Sequence, residues 1–309
     1  MLRIIGQTNI DFIGKRKIAL FVSGILMILG IISVVGIFMG SANLGIDFTG
    51  GVLMRGSFEK PVEVGELRGV LSEAGYGDAQ ITEIQGENIP PNSFLIKSKM
   101  VETESDSLLG DRLLSLIKQE MPDNEYVLDS IEDVGPSVGE TLKSKARLAI
   151  ILSLLGILVY IWIRFDFRFG VAATVATFHD VLAVMGIFFI LQKEFTLLVV
   201  TALLTLAGYS LTDTVVVYDR IRENLKLFRK RSGFGTTINT SINEMLSRTI
   251  ITSLTSIFVV ASLLVLGGEV VRDFSFALLL GIVIGTYSSI FVASPIIVEW
   301  EKKAPKRVK

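Results

Sequence analysis

A run of about twenty apolar residues with almost no charge fits a helix across the hydrocarbon core of a bilayer. This chain carries six such runs, at 18–39, 146–164, 169–191, 195–217, 246–266 and 274–298. A soluble chain of 309 residues would instead scatter its apolar side chains at helix or strand spacing around a core. Half of this chain is hydrophobic and its mean hydropathy is +0.58, so the blocks account for its composition. The expected fold class is a membrane all-α bundle of six transmembrane helices, joined to whatever the one long polar stretch forms.

Basic residues orient the spans. Arg3, Lys15, Arg16 and Lys17 precede the first, and Arg164 and Arg168 sit between the second and third. Arg220, Arg222, Lys226, Arg229, Lys230 and Arg231 follow the fourth, and Lys302, Lys303, Lys306, Arg307 and Lys309 close the chain. The two short segments on the other side hold only Lys193 and Arg272. Segment 1–17 and the basic tail 299–309 are therefore expected in the cytoplasm, and 40–145 on the outer face. The first span is flanked like a signal peptide, but it is long and lacks an A-x-A-like site, which predicts an uncleaved signal-anchor.

Residues 40–145 form the outward domain. Val52–Phe58 alternates like a strand after Gly50-Gly51, and Pro61 opens a helical segment to about Ala74, ended by Gly75 and Gly77. Ala79–Gln85 and Ser93–Met100 read as strands separated by Asn88 and Pro90-Pro91. Ser105–Met121 places Leu108, Leu109, Leu113, Leu114, Leu116 and Ile117 at amphipathic-helix spacing, and Tyr126–Val134 supplies a last strand. The order β-α-β-β-α-β is the ferredoxin-like, α+β arrangement. Its acidic residues are scattered as on a solvated or interaction surface.

Several chemistries are excluded. Cysteine is absent, which removes disulfides and thiol nucleophiles, and a single histidine, His179, argues against zinc. A net charge of −1 gives no basic surface for nucleic acid. No phosphate loop, nucleophile elbow or metal-ligand spacing occurs, so neither enzyme nor cofactor is expected.

Charge inside a span needs a reason, because it costs roughly 2.5–3.5 kcal/mol on insertion scales. In the fourth span Thr205, Tyr209, Thr212 and Asp213 share one helical face; in the fifth, Glu244, Arg248, Thr252, Thr255 and Ser256 share another. Two polar stripes, one acidic and one basic, are best satisfied facing each other. Asp213 with Arg248 then reads either as a static ion pair joining two helices or as a proton site where the guanidinium competes with a proton for the carboxylate. His179-Asp180, midway along the third span, reads as a helix-packing pair or a secondary relay. Asp219, Arg220, Arg222 and Glu223 read as a solvated cluster anchoring the fourth helix. Gly281 and Gly285 form a G-x-x-x-G face, continued by Ser289 and Ala293, for close helix packing, and the Gly-Gly pairs at 50–51 and 267–268 read as turns.

Several blocks carry a family resemblance: LGIDFTGG at 44–51, IRFDFRFG and FHDV within 163–181, GYSLTDTVVVYDRIREN at 208–224, INEMLSRTIITSLTS at 242–256 and GTYSSIFVASPI at 285–296. They resemble the successive blocks of the SecF branch of the SecD/SecF protein-export family, in the RND superfamily of proton-driven transporters. The resemblance implies half of an RND-type bundle with a periplasmic ferredoxin-like domain between the first two helices, in the bacterial inner membrane. It implies SecD as the other half, the SecYEG channel and translocating preprotein as partners, YajC as a further candidate, protons as the driving ion, and lipid as the surroundings. It places the membrane-embedded carboxylate and arginine at Asp213 and Arg248, and the signature after the first helix at Asp47, Gly50 and Gly51. The implied cycle has protonation of Asp213 break its pairing with Arg248, with the shift passing through Asp47–Gly51 to the outward domain. The competing expectations are an RND-type small-molecule transporter half and a passive membrane scaffold. Efflux pumps of that kind carry both halves and larger outward domains on one chain.

Overall fold

The computed structural model describes residues 8–85, 89–99, 109–228 and 233–304. Among them, six helices are long and apolar enough to cross a membrane. They are α1 (Arg16–Phe38), α5 (Pro136–Arg164), α6 (Phe167–Ile190), α7 (Leu197–Phe228), α8 (Phe234–Leu266) and a broken sixth. The last consists of α9 (Gly268–Ser288), a π-helical turn at Ser289–Ala293, and α10 (Ser294–Lys303). Between α1 and α5 lie α2 (Ile46–Thr49), β1 (Gly51–Phe58), α3 (Val64–Glu73), β2 (Gln80–Ile84), β3 (Ser93–Lys99), α4 (Leu109–Glu120) and β4 (Tyr126–Val134). Arg3, Asn88, Met100, Leu108, Arg229, Lys230, Arg231, Lys306, Arg307 and Lys309 lie outside the described residues.

The helices run beyond the apolar blocks that announce them. α5 begins ten residues before its block, α7 continues past 217 to 228, and α8 starts at 234 rather than 246. Hydropathy marks the length that contacts lipid, whereas backbone hydrogen bonding continues wherever polar helical turns can be solvated.

Residues Leu44–Leu148 form one compact unit. Its sheet order is β2-β3-β1-β4, all neighbours antiparallel, as the ferredoxin-like reading requires. Val52, Met54 and Phe58 of β1 and Phe94 and Ile96 of β3 pack with Leu67 and Leu71 of α3 and Leu113 and Ile117 of α4. α3 starts at Val64 rather than Pro61, because Glu63 keeps an extended backbone at its N-cap. α2 was not foreseen; its four residues precede a glycine pair whose φ angles of 75° and 142° suit only glycine. A side chain at Gly51 would also place its Cβ 2.4 Å from the Ser98 carbonyl oxygen.

The second unit holds the spans. α1 lies against α6 at a glycine crossing, where Gly30 meets the Leu182 carbonyl and Gly186 meets the Gly30 amide. Its core gathers Phe165, Phe169, Tyr218, Ile221, Ile238 and Ile242. Tyr218 is fully buried, edge-on to Phe169 at 5.1 Å, and its hydroxyl donates to the Ala293 carbonyl at 3.1 Å. The Ser294 hydroxyl donates to the Ser289 carbonyl at 3.0 Å. A π turn interrupts the i to i−4 ladder, and these two side chains satisfy carbonyls at its two ends. Asn239 and Asn243, one turn apart on α8, hold the segment before α1. Asn239 Oδ1 accepts from the Phe12 and Ile13 amides at 2.8 and 3.2 Å, and both side-chain amides donate to the Ile10 carbonyl.

Candidate functional site: two carboxylates at membrane depth

α6 and α7 each bring one carboxylate into the apolar interior, and hydroxyls from α7, the end of α9 and the π turn meet them. Asp180 is fully buried. Its Oδ1 lies 2.8 Å from His179 Nδ1, while its Oδ2 accepts from the Ser210 hydroxyl of α7 and from the Ser288 hydroxyl at 2.7 Å. Gly285 makes the α7 approach possible: a Cβ there would sit 3.1 Å from that of Ser210. Gly281 does the same for Leu206, so the G-x-x-x-G face packs α9 on α7, as its spacing predicts. Asp213 is half-buried and its Oδ2 accepts from the Ser289 hydroxyl at 2.6 Å. Consecutive serines thus hold carboxylates on two different helices.

The expected Asp213–Arg248 ion pair is not made. Among the described residues Arg248 has no ion-pair partner, and its side chain is exposed while that of Thr249 is buried. Successive side chains on a helix diverge by about 100°, and α8 buries the Thr249 side. Glu244, placed on the same stripe, is taken by Arg220 and by the Asn224 amide, each at 2.7 Å. The two stripes do meet at one point, where the Tyr209 hydroxyl donates to Ser256 Oγ at 3.2 Å and lies 3.5 Å from the Thr252 carbonyl. Thr205, Thr212 and Thr252 instead donate to carbonyls four residues back in their own helices, the usual resort of a hydroxyl without a neighbour in an apolar medium.

The remaining sequence candidates fall elsewhere. Asp47 occupies the first turn of α2, and Gly50 and Gly51 form the bend into β1. Arg164 donates to both oxygens of Asp219 at 2.6 and 2.5 Å, and Arg220 also reaches Glu223 at 2.7 Å, so the charged end of α7 is the half-exposed cluster its composition suggests. Sequence reasoning missed Ser210 and Ser288 and treated Ser289 only as packing. The available signal was a pair of serines in the polar run Thr286–Ser289 of the sixth span, but which helices they touch depends on the register of that helix. Among the described residues no cluster of metal-ligating side chains occurs.

The family model for the C-terminal part of the protein export membrane proteins SecD/SecF matches residues 116–303. The chain belongs to the SecD/SecF family. It is 49% identical over 298 residues to the protein translocase subunit SecF of Thermodesulfovibrio yellowstonii, covering 96% of each. It is 39% identical over 295 residues to the protein translocase subunit SecDF of Thermus thermophilus, covering 95% of this chain and 39% of that one. The solved structure of a translocon-associated SecDF from the same organism superposes with a TM-score of 0.79 at 38% identity, over 96% of this chain and 39% of the other. The chain therefore spans well under half of the SecDF polypeptide. Its relatives are named as subunits of a protein translocase, so the chain is a multi-pass membrane component of protein export, and its fold is that of the six-helix, ferredoxin-like family.

Proposed function

We propose that the chain is one half of a proton-driven export unit. It pairs with a SecD-type six-helix partner beside the SecYEG channel and helps draw preprotein out of the membrane's far side. In this reading the unit lies in the inner membrane, both termini are cytoplasmic, and the ferredoxin-like unit is periplasmic. Asp213 is the group that protons load, and Arg248 is the cation that answers to it.

The observation that carries the reading is the state of Asp213. It is a carboxylate on a membrane-spanning helix that accepts from the Ser289 hydroxyl and meets no cation among the described residues. A static ion pair would have neutralised it within this chain. Reversible protonation neutralises it without one, and a charge moved across the membrane is worth ~2.3 kcal/mol per 100 mV, enough to bias a two-state helix arrangement. Arg248, exposed and unpaired among the described residues, is available to a group from outside this chain. The fusion of both halves in the SecDF relative supports such a partner. Motion then passes along α1 and α5 to the Asp47–Gly51 bend and the unit that follows it.

The test is the rate of preprotein export into inside-out vesicles, with and without a proton gradient, for wild type and Asp213→Asn in assembled complex. The proposal expects the variant to lose the gradient's benefit while keeping the gradient-independent rate. Equal stimulation of both proteins would overturn it.

A further inference from the structure

Four consecutive side chains midway along the sixth span each reach a different helix. Thr286 Oγ1 lies 2.6 Å from Ser253 Oγ of α8, and the Tyr287 hydroxyl donates to the Ala19 carbonyl of α1 at 2.8 Å. Ser288 donates to Asp180 of α6, and Ser289 donates to Asp213 of α7. The two carboxylates are thus joined through a single peptide unit, placed where the helix changes from α to π.

Each serine has a second acceptor already in place. Ser288 Oγ is 3.3 Å from the Gly285 carbonyl, and Ser289 Oγ is 3.1 Å from the Thr286 carbonyl. A hydroxyl carries one proton to donate. While the aspartate is ionised, that proton points to the carboxylate. Once the carboxyl is protonated, its own O–H donates to the serine oxygen, and the serine proton turns to the carbonyl three residues back. The exchange moves no helix and leaves no donor unmade, so the serine has two positions of comparable satisfaction.

We propose that Asp180 and Asp213 titrate as one linked pair, with Ser288 and Ser289 as the positioning residues that carry the link. Turning the Ser289 hydroxyl onto the Thr286 carbonyl repolarises the peptide groups at the head of the π turn, where Ser288 presents its hydroxyl to Asp180. The charged and titratable neighbours are few. His179 on α6 touches Asp180, Arg248 on α8 faces outward, and Glu244 on α8 is held by Arg220. Helix α1 carries no charged residue between Ile18 and Phe38, and α9 with the π turn carries none between Phe274 and Val298. Asp180 therefore has Asp213 as its one acidic neighbour in the span interior among the described residues. The inference deepens the proton-loading reading by naming a second titrating site, but the linkage itself is an equilibrium property that exists whether or not export uses it.

The experiment is a pH titration of the protonated-carboxyl C=O stretch by infrared spectroscopy, on the full chain in lipid nanodiscs. The bands are assigned with Asp180→Asn and Asp213→Asn. The proposal expects Asp213→Asn to move the Asp180 midpoint by about tenfold or more in proton concentration, within the usual range of site–site coupling. Ser289→Ala, which removes a hydroxyl that touches Asp213 and not Asp180, is expected to move the Asp180 midpoint too, and Ser289→Thr to restore it. An Asp180 midpoint unchanged by Asp213→Asn and Ser289→Ala overturns the linkage. A shift with Asp213→Asn but none with Ser289→Ala overturns the serine route. Should Asp213→Asn fail to reconstitute, the Ser289 pair decides alone. Linked titration with export indifferent to the gradient would uphold this inference and defeat the functional proposal.

Discussion

The α1–α6 crossing allows a prediction whose size follows from geometry. A Cβ added at Gly30 would stand 2.3 Å from the Leu182 carbonyl oxygen, a backbone atom that cannot rotate away. Ordinary contact begins near 3.4 Å, so α1 and α6 must separate by roughly 3.4 − 2.3 = 1.1 Å, losing dispersion contacts along the whole seam. Gly30→Ala should then destabilise the protein by about 1–3 kcal/mol, the usual range for overpacking. At Gly186 the nearest atom is the Gly30 amide nitrogen at 2.7 Å, so Gly186→Ala should cost less. The double variant should cost less than the sum, because one displacement serves both. Gly24, on the same helix with nothing within 4 Å, is the control; its alanine variant should be neutral or stabilising by up to about 1 kcal/mol. Unfolding of the purified protein in mixed micelles by sodium dodecyl sulfate, followed by tryptophan fluorescence, measures all four. Equal losses for Gly24→Ala and Gly30→Ala would refute the reasoning, since they would reflect glycine's helix propensity and not the crossing.

Asp180→Asn should keep nearly wild-type stability in the same assay, while Asp180→Ala should lose several kcal/mol, because it strands the buried partners His179 and Ser210 at about 1–3 kcal/mol each, Ser288 alone having the Gly285 carbonyl to turn to; equal effects would show that the cluster contributes little. Asn239→Ala should raise hydrogen exchange at the Phe12 and Ile13 amides about tenfold or more, and unchanged protection would mean that packing, not the asparagine, holds this segment. Burial, reinforced by Asp129, pushes the Tyr126 phenol above its ordinary value of 10.0. The folded unit then binds the phenolic proton more tightly than the unfolded chain, so its stability is intact below pH 10 and falls as pH climbs above that value. Hydrogen exchange of β1 and β4 should show that fall, and Tyr126→Phe should flatten it; an identical alkaline slope in the variant would refute the assignment.

The six spans, the ferredoxin-like order and the costly residues Asp180 and Asp213 are legible from sequence, because each follows from a local rule. Bilayer thickness fixes the length of an apolar block, side-chain alternation marks strands, and a charge among apolar neighbours stands out wherever it lies. The packing marked by Gly281 and Gly285 is legible for the same reason, since small residues at helical spacing permit close approach, whereas the Gly30–Gly186 crossing pairs glycines of two different helices and shows only in the structure. Which groups meet across the bundle is not local. Asp213 and Arg248 look like partners when two helices are drawn side by side, yet the rotation of α8 buries Thr249 and turns Arg248 outward. Ser289 looks like a packing residue and Ser288 carries no signal of its own, yet a π turn that no residue pattern announces sets the register by which they reach two different carboxylates. The sequence by itself determined what must cross the membrane and which residues there need a reason to exist. The rotation and register of packed helices, set by the fit of whole surfaces, decided which hydroxyl answers which acid.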